Sequence, residues 1–285
     1  MNETLRTDDG RYVLRIERHL SHSPAKVWRA VTQAEHLSQW FPSKPTMELA
    51  IGADVTCDHG DGPQVDGVVV EVDEPRVLAF TWGADAVRLE LVPNEGGCLL
   101  ILSHMFDDKR SAGSFAAGWS LCVDALEAVL RNEMVPEHIQ HSLRGSITRQ
   151  WADRHEAFVK SFGLDEGAVE QHDDGWHVRF ERQLTRPVDS AWRTLHPRGG
   201  APAVGDAAHD GFMIPGQAGE VTKIEPPTHL EVATADGYVR WELSDGAGGA
   251  VLTITHAGRN DREPPLAAWQ GRVEAFAAQL HAQVE

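Results

Sequence analysis

The stretch YVLRIERHLSHSPAKVWRAVT (Tyr12–Thr32) recurs 164 positions later as WHVRFERQLTRPVDSAWRTLH (Trp176–His196). Farther along, GVVVEVDEP (Gly67–Pro75) corresponds to GEVTKIEPP (Gly219–Pro227) at an offset of 152 positions. Such a period is the length of a whole domain and is far longer than a solenoid repeat. The chain of 285 residues is therefore predicted to contain two sibling domains.

Each copy shows the same order of local patterns. In copy one we expect a strand at 11–20, a helix beginning at Ser23-Pro24 and a short helix at 34–41. β-rich segments separated by turn residues then follow, and a helix with apolar residues at steps of three and four closes the copy. The β-rich segments are 47–58, 65–73, 77–82, 87–92 and 98–106, and the closing helix is 114–131. This order predicts an α+β fold in which an antiparallel sheet grips one long C-terminal helix.

The predicted domain limits are 1–133 for the first copy and 168–285 for the second. Residues 134–167 are predicted to be a helical linker, because 137–162 is polar and compatible with a helix. The second copy is shorter by 12 residues between its first helix and the Gly219 match, and 196–211 has loop composition where copy one has its second helix. It also has Thr234 at the position of Trp82 and Ala257-Gly258 at that of Met105-Phe106, so it is interpreted as degenerate and mainly structural.

Composition narrows the class of protein. The hydrophobic content of 41% and charged content of 24% are ordinary for a globular protein. A net charge of −17 with no offsetting cluster of Lys and Arg argues against a nucleic-acid partner. No apolar run reaches the ~20 residues of a membrane span, and the polar, acidic segment 1–12 lacks the features of a signal peptide. We therefore expect a cytoplasmic protein with no membrane insertion.

Comparing the two copies predicts which side chains face inward, because side chains alternate across a sheet. Two polar residues lie on the inward rows of both copies: Arg18/Arg182 and His104/His256. One interpretation is structural, with the arginine paired to a carboxylate and the histidine satisfied in the core. The other is a pocket in which Arg18 and His104 are polar anchors beside aromatic walls.

Two segments of copy one resemble a known family. The opening RIERHLSHSPAKVWRAVTQAEHLSQWF (Arg15–Phe41) and the closing GWSLCVDALEAVL (Gly118–Leu130) are similar to the bacterial activator-of-Hsp90-ATPase-homologue group of the START-like helix-grip (SRPBCC) superfamily. The resemblance implies a sheet wrapped around a long helix with a hydrophobic cavity between them. It does not select an activity, since the superfamily includes carriers, cyclases, hydrolases and co-chaperones.

The predicted function is binding of a small hydrophobic or aromatic ligand in the cavity of the first domain. The predicted ligand-binding residues are Arg18, Trp40, Phe41, Phe80, Trp82, Leu89, Leu102, His104, Phe106, Phe115 and Trp119. No catalytic residue and no cofactor is predicted, because no nucleotide-binding or nucleophile motif occurs. One alternative is a cyclase or hydrolase with His104 as general acid/base and Arg18 holding a carbonyl or carboxylate. The other is a co-chaperone-like protein-interaction role, and a homodimer or protein partner is left open.

No metal site is predicted, although the chain has 15 histidines. The best local candidates are Cys57-Asp58-His59 and the pair His138/His141. Neither supplies the three or four convergent ligands that zinc usually needs. These histidines are interpreted as exposed polar residues.

Overall fold

The computed structural model describes residues 2–58, 64–173, 175–196, 202–259 and 262–284. They form two compact units, Met1–Arg154 and His155–Glu285. The division lies inside the segment 134–167, and the domain limits taken from the sequence stay a prediction. His59 and residues 197–201, which belong to segments discussed above, lie outside the described residues.

The described residues of the first unit form one antiparallel sheet, four α-helices and the beginning of a fifth. Its strands are β1 (Asn2–Asp8), β2 (Arg11–Leu20), β3 (Lys44–Met47), β4 (Asp54–Asp58), β5 (Val65–Asp73), β6 (Val77–Trp82), β7 (Asp85–Asn94) and β8 (Gly97–Phe106). Its helices are α1 (Pro24–Thr32), α2 (Ala34–Leu37), α3 (Ala112–Leu130), α4 (Glu137–Leu143) and α5 (Arg149–Ser161), of which α5 continues past the division. The strand order is β1-β2-β8-β7-β6-β5-β4-β3.

Helix α3 is the centre of the first unit. Its buried side chains include Trp119, Leu121, Val123 and Leu126, and the helix contacts β2 and α1. The segment 109–130 is long and apolar enough to cross a membrane, but 72% of its most apolar window is buried inside the protein. That is the burial expected of the core helix in a helix-grip domain.

The second unit repeats this design. Its strands are β9 (Ala168–His172), β10 (Gly175–Gln183), β11 (Glu220–Glu225), β12 (His229–Ala233), β13 (Tyr238–Gly246) and β14 (Gly249–Gly258). Its helices are α6 (Val188–Leu195) and α7 (Leu266–His281), which follow the C-terminal part of α5. The strand order β9-β10-β14-β13-β12-β11 is that of the first six strands in the first sheet. The predicted α+β fold with two tandem helix-grip domains is confirmed.

Burial follows the inward rows predicted from the two copies. Leu14, Ile16, Val87, Leu89, Leu100 and Leu102 are buried in the first unit, as are Val178, Phe180, Val239, Trp241, Leu252 and Ile254 in the second. The outward row carries ion pairs, such as Arg88 Nε to Glu71 Oε2 at 2.9 Å. One face of each sheet therefore packs against its helix, and the other carries charges.

A matched glycine shows that the two copies share a close backbone approach. A Cβ added to Gly97 would lie 1.9 Å from the carbonyl oxygen of Leu20, and one added to Gly249 would lie 2.1 Å from that of Leu184. Real Cβ atoms do not come so near to backbone oxygen, so each position admits only glycine without local rearrangement. The recurrence of Gly97 as Gly249 is thus a structural requirement of the sheet.

Several elements differ from the sequence predictions, including the edge strand β9, which was not predicted, and α2, which ends at Leu37 and not at 41. The edge strand β1 was not predicted; it pairs with β2 through a two-residue turn at Asp9-Gly10, where both residues have positive φ. Of the predicted strand 47–58, only 54–58 forms a strand of its own, β4. Met47 ends the preceding strand β3, and a turn that contains Gly52 with φ of 85° joins the two. The predicted linker helix is broken into α4 and α5, and Gly145 between them has φ of 84°.

Each inward arginine is paired with acidic side chains. Arg182 is 2% exposed and contacts Glu156, with the Asp165 carboxylate 3.8 Å away. Burial by itself would raise the pKa of Glu156, but His155 and the Arg182 charge outweigh it and lower that pKa to about 2. This pair is a charged contact inside the second unit, and removing either partner would leave the other, partly buried, without its main counter-charge.

We predict that Arg182→Met lowers the free energy of unfolding by about 3 kcal/mol, because Glu156 would lose its buried counter-charge. The measurement is urea unfolding at pH 7. The control is Arg240→Met, which removes a half-exposed outward pair with Glu231 and should cost less than about 1 kcal/mol. Equal losses in the two variants would show that the buried pair is not structurally important.

Candidate functional site

His104 is the polar centre of the predicted site in the first unit. Strand β8 directs it inward, and its side chain is 2% exposed. Trp119 Nε1 on α3 donates a hydrogen bond of 3.1 Å to His104 Nδ1. An indole nitrogen can only donate, so Nδ1 carries no proton in this arrangement. The proton of the neutral ring is then on Nε2, which lies 2.9 Å from Asp85 Oδ2.

Aromatic side chains surround the His104–Trp119 pair. The ring of Phe41 lies 5.5 Å from Trp82 and 5.4 Å from Trp119, measured between centroids, and Trp82 lies 6.0 Å from Trp119. On the other side, Phe115 lies 4.5 Å from His104. These spacings are those of favourable tilted and edge contacts between rings. The predicted aromatic residues are therefore brought together at one end of the space between sheet and helix.

The apolar residues of the predicted site differ in burial. Trp40, Phe41, Phe80, Leu89, Leu102, Phe106 and Trp119 are buried, whereas Trp82 and Phe115 are partly exposed. Trp40 also donates a 2.9 Å hydrogen bond from Nε1 to the Ala30 carbonyl, which anchors it in the core. Solvent therefore reaches the cluster at Trp82 and Phe115.

Arg18 does not join the aromatic cluster. Its strand partner is Leu100, four positions from His104 along β8, which corresponds to about 13 Å. There Arg18 Nη1 donates to Asp124 Oδ1 at 3.1 Å and also contacts Glu127, both on α3. The Asp124 carboxylate is shared with Arg154. The structural alternative considered for Arg18, pairing with a carboxylate, is therefore the contact observed.

Asp85 is the site residue that sequence reasoning missed. It begins β7 and extends its carboxylate to His104, and Arg11 lies 3.9 Å from its other oxygen. The corresponding position in copy two is Gly237. The comparison of the two copies selects features that both copies share. It therefore did not select Asp85, because the second copy has no carboxylate at the matching position.

A groove of about 820 Å³ also lies in the first unit, away from His104. It is bordered by α2, β3, the end of α3 and α4, with Phe41, Met134, Gln140 and Arg144 among its lining residues. Of the predicted site residues only Phe41 reaches it. Its lining includes the polar or charged side chains of Lys44, Asp58 and Glu133, so it does not correspond to the hydrophobic cavity that the resemblance implied.

The second unit keeps the tryptophan–histidine pair but not its surroundings. Trp269 Nε1 on α7 donates a 2.8 Å hydrogen bond to His256 Nδ1 on β14. Thr234 stands where the first unit has Trp82, and its smaller side chain leaves space. Gly258 stands where the first unit has Phe106, but there the indole of Trp176 packs so closely that an added Cβ would lie 2.2 Å from it. A cavity of about 290 Å³ lies beside Thr234, lined by residues that include Trp176, Gln217, Thr234, Asp236, His256 and Arg262.

Two oxygens of this second-unit cavity lack a partner among the described residues: Gln217 Oε1 and Thr234 Oγ1. The charge of Arg262 is paired with Asp236 at 2.9 Å. A buried oxygen without a hydrogen bond is costly. A molecule in the cavity that donates hydrogen bonds would satisfy both oxygens.

Several histidines of the second unit are held neutral by burial. Burial lowers the pKa of His256 to about 4, although nearby Asp236 acts in the opposite direction. Burial also lowers the pKa of His196 to about 4, and it lowers those of His155 and His209. Of these, His256 and His155 are buried, so protonating either means placing a charge where water solvates it poorly.

Most of the first unit matches a known protein family. Residues 21–131 match the family described as Activator of Hsp90 ATPase homolog 1-like protein. This confirms the resemblance predicted from the opening and closing segments of copy one. No curated protein sequence matches the chain.

Solved structures with a similar fold cover about half of this chain. CalU16 from Micromonospora echinospora is 21% identical, with 56% of this chain and 96% of that chain aligned and a TM-score of 0.45. MLL2253 from Mesorhizobium loti is 27% identical over 42% of this chain and 97% of its own, with a TM-score of 0.40. EF2215 from Enterococcus faecalis is 19% identical over 56% and 91%, with a TM-score of 0.45.

We predict that the second unit loses stability as the pH falls from about 6.5 towards about 4. In that range the unfolded chain protonates His256 while the folded unit resists it, so unfolding is favoured, by up to about 3 kcal/mol for this one side chain. His256→Gln, whose amide oxygen can still accept from Trp269, should weaken the pH dependence. Hydrogen exchange of β14 and α7, followed by mass spectrometry at several pH values, measures the effect.

The control for this measurement is His138→Gln, which changes an exposed histidine of α4 and should leave the pH dependence intact. An identical pH dependence in wild type and His256→Gln would show that burial of this histidine does not make the unit acid-sensitive.

A second prediction concerns the buried hydrogen bond of the first unit. Trp119→Phe keeps an aromatic ring but removes the indole donor, so His104 Nδ1 is left without its partner. We expect a loss of about 1–3 kcal/mol in unfolding free energy, measured by urea unfolding. A loss no larger than that of Trp28→Phe, a buried tryptophan of α1, would contradict a special role for this bond.

Proposed function

We propose that the protein binds a small hydrophobic or aromatic molecule in the first unit, at the aromatic end between sheet and α3. The observation that carries the proposal is a pair of partly exposed aromatic side chains, Trp82 against Trp119 and Phe115 against His104, on either side of the buried His104–Trp119 hydrogen bond. A ligand site is typically apolar with few polar groups, and the aromatic cluster around His104 fits that description. The helix-grip superfamily that copy one resembles commonly binds hydrophobic ligands.

The geometry of His104 favours binding over catalysis. Its Nδ1 accepts from Trp119 and its Nε2 donates to Asp85. A general acid or base needs a nitrogen within reach of the reacting proton, and here one existing hydrogen bond would have to break first. We therefore assign His104 to holding α3 against the sheet and giving the site a fixed polar edge. The cyclase or hydrolase alternative is correspondingly weaker.

The cavity of the second unit is a second candidate binding site. Its volume of about 290 Å³ is near the lower limit for small-molecule pockets, and the oxygens of Gln217 and Thr234 favour a ligand that donates hydrogen bonds. The second copy has Thr234 where the first has Trp82, which suggested that it is degenerate. The same replacement removes a side chain that would fill this space. We propose it as a site for a smaller and more polar molecule than the one bound in the first unit.

A reciprocal exchange of residues distinguishes the two sites. Trp82→Thr gives the first unit the residue of the second, and Thr234→Trp gives the second unit the residue of the first. If the first unit holds the apolar ligand, Trp82→Thr should weaken binding by at least about tenfold through loss of an indole contact. Thr234→Trp, which fills the other cavity, should leave that affinity unchanged.

The measurement is a thermal-shift screen of aromatic compounds and fatty acids, followed by calorimetric titration of the compounds that stabilise the protein. Loss of binding in Thr234→Trp alone would overturn the first-unit site in favour of the second. No stabilisation of wild type by any compound would contradict small-molecule binding in both units. A protein-interaction role would then be the function to test, and the surface to mutate would be the outward face with Arg88 and Glu90. The cytoplasmic location expected from the sequence stays a prediction.

A further inference from the structure

The edge hairpin of the second unit places two histidines and a glutamate on one face. Glu170 and His172 are two positions apart on β9, so their side chains point to the same side of the sheet. His177 on β10 is the register partner of Glu170. Its neighbours Trp176 and Val178 are buried inward, so His177 and the two β9 side chains lie on the outer face.

These three side chains are close enough to share one ion. One potential ligand atom from each lies within 4.8 Å of the other two. The rings of His172 and His177 are 4.2 Å apart between centroids, and His172 Nε2 lies 3.8 Å from Glu170 Oε2. Ligands of a tetrahedral zinc ion with bonds of about 2.0–2.1 Å are about 3.3 Å from one another. Rotations of the exposed Glu170 and His172 side chains can close that difference.

The charges near the hairpin favour a cation. The next outward residue on β10, Arg179, is neutralised by Glu181 at 2.5 Å, so it does not oppose a metal ion through an unbalanced charge. The net charge of −17 raises the local concentration of divalent cations around the protein.

We propose that Glu170, His172 and His177 bind one divalent transition-metal ion, with Zn²⁺ as the reference ion. Imidazole nitrogens with a carboxylate suit Zn²⁺, Cu²⁺ and Ni²⁺, whereas Ca²⁺ and Mg²⁺ prefer oxygen ligands throughout. Three protein ligands leave a coordination position open for water or for a further ligand. The site lies on the sheet face opposite to the His256 cavity and is independent of ligand binding there.

Metal binding at this hairpin would also fasten an edge strand. His172 and Glu170 come from β9 and His177 from β10, so the ion crosslinks the two strands. An ion that binds the folded hairpin more tightly than the unfolded chain stabilises it by mass action. The amides of β9 should therefore exchange hydrogen more slowly when Zn²⁺ is present.

The test is calorimetric titration of the metal-free full chain with Zn²⁺ alone. We expect one ion per chain, and we expect His172→Ala and His177→Ala each to weaken binding by at least about tenfold. The matched control is His138→Ala, which removes one of two neighbouring histidines on α4 and should leave the affinity unchanged. Circular dichroism confirms that the variants remain folded, which is expected because the altered side chains lie on the surface.

Two results would overturn the proposal. One is the absence of saturable Zn²⁺ binding by wild type, and the other is unchanged binding by the double variant His172→Ala/His177→Ala. X-ray absorption of the zinc-loaded protein gives an independent answer. We expect nitrogen and oxygen ligands with two imidazoles, and sulfur ligands would instead assign the ion to cysteines and refute the site.

Discussion

A hydrogen bond from a tryptophan of the long helix that packs on the sheet, α3 or α7, to a histidine of the last strand organises each unit. It joins Trp119 to His104 in the first unit and Trp269 to His256 in the second, at 3.1 and 2.8 Å. A buried polar pair is tolerated only when its geometry is satisfied, so this bond fixes where the helix lies along the sheet. It also sets the histidine tautomer, because the indole donates to Nδ1. In each unit, Nε2 is then the ring nitrogen that carries the proton and can donate a hydrogen bond.

Around this shared bond the two units have diverged in opposite ways. The first unit adds a carboxylate, Asp85, and fills the adjoining space with Trp82 and Phe106. The second has Gly237, Thr234 and Gly258 at those three positions. Trp176 packs against Gly258, and a cavity lies beside Thr234. One scaffold thus provides an aromatic surface in one copy and a small, partly polar cavity in the other, and the replacement of Trp82 by Thr234 contributes to this change.

The sequence predicted the parts of the fold that depend on local periodicity and on the repeat. The predicted inward rows were correct because side chains alternate between the two faces of every strand. Comparing the two copies then shows which of the two faces is apolar. The edge strands β1 and β9 were missed, because they are mostly exposed and lack an apolar row. Arg18 was grouped with His104 because both face inward, although parity does not measure position along a strand. The proposed ligands Glu170, His172 and His177 were visible in the sequence as E-x-H followed by a second His five positions later, but their convergence depends on the β9–β10 register.

The central claim is that the protein holds a small apolar molecule against the aromatic end of the first unit. Native mass spectrometry of freshly purified protein, compared with the same sample after denaturation, tests it most directly. The account predicts a mass surplus in the native spectrum that disappears on denaturation and is missing from Trp82→Thr. A native mass equal to the chain mass, unchanged after incubation with lipids and aromatic compounds, would contradict it.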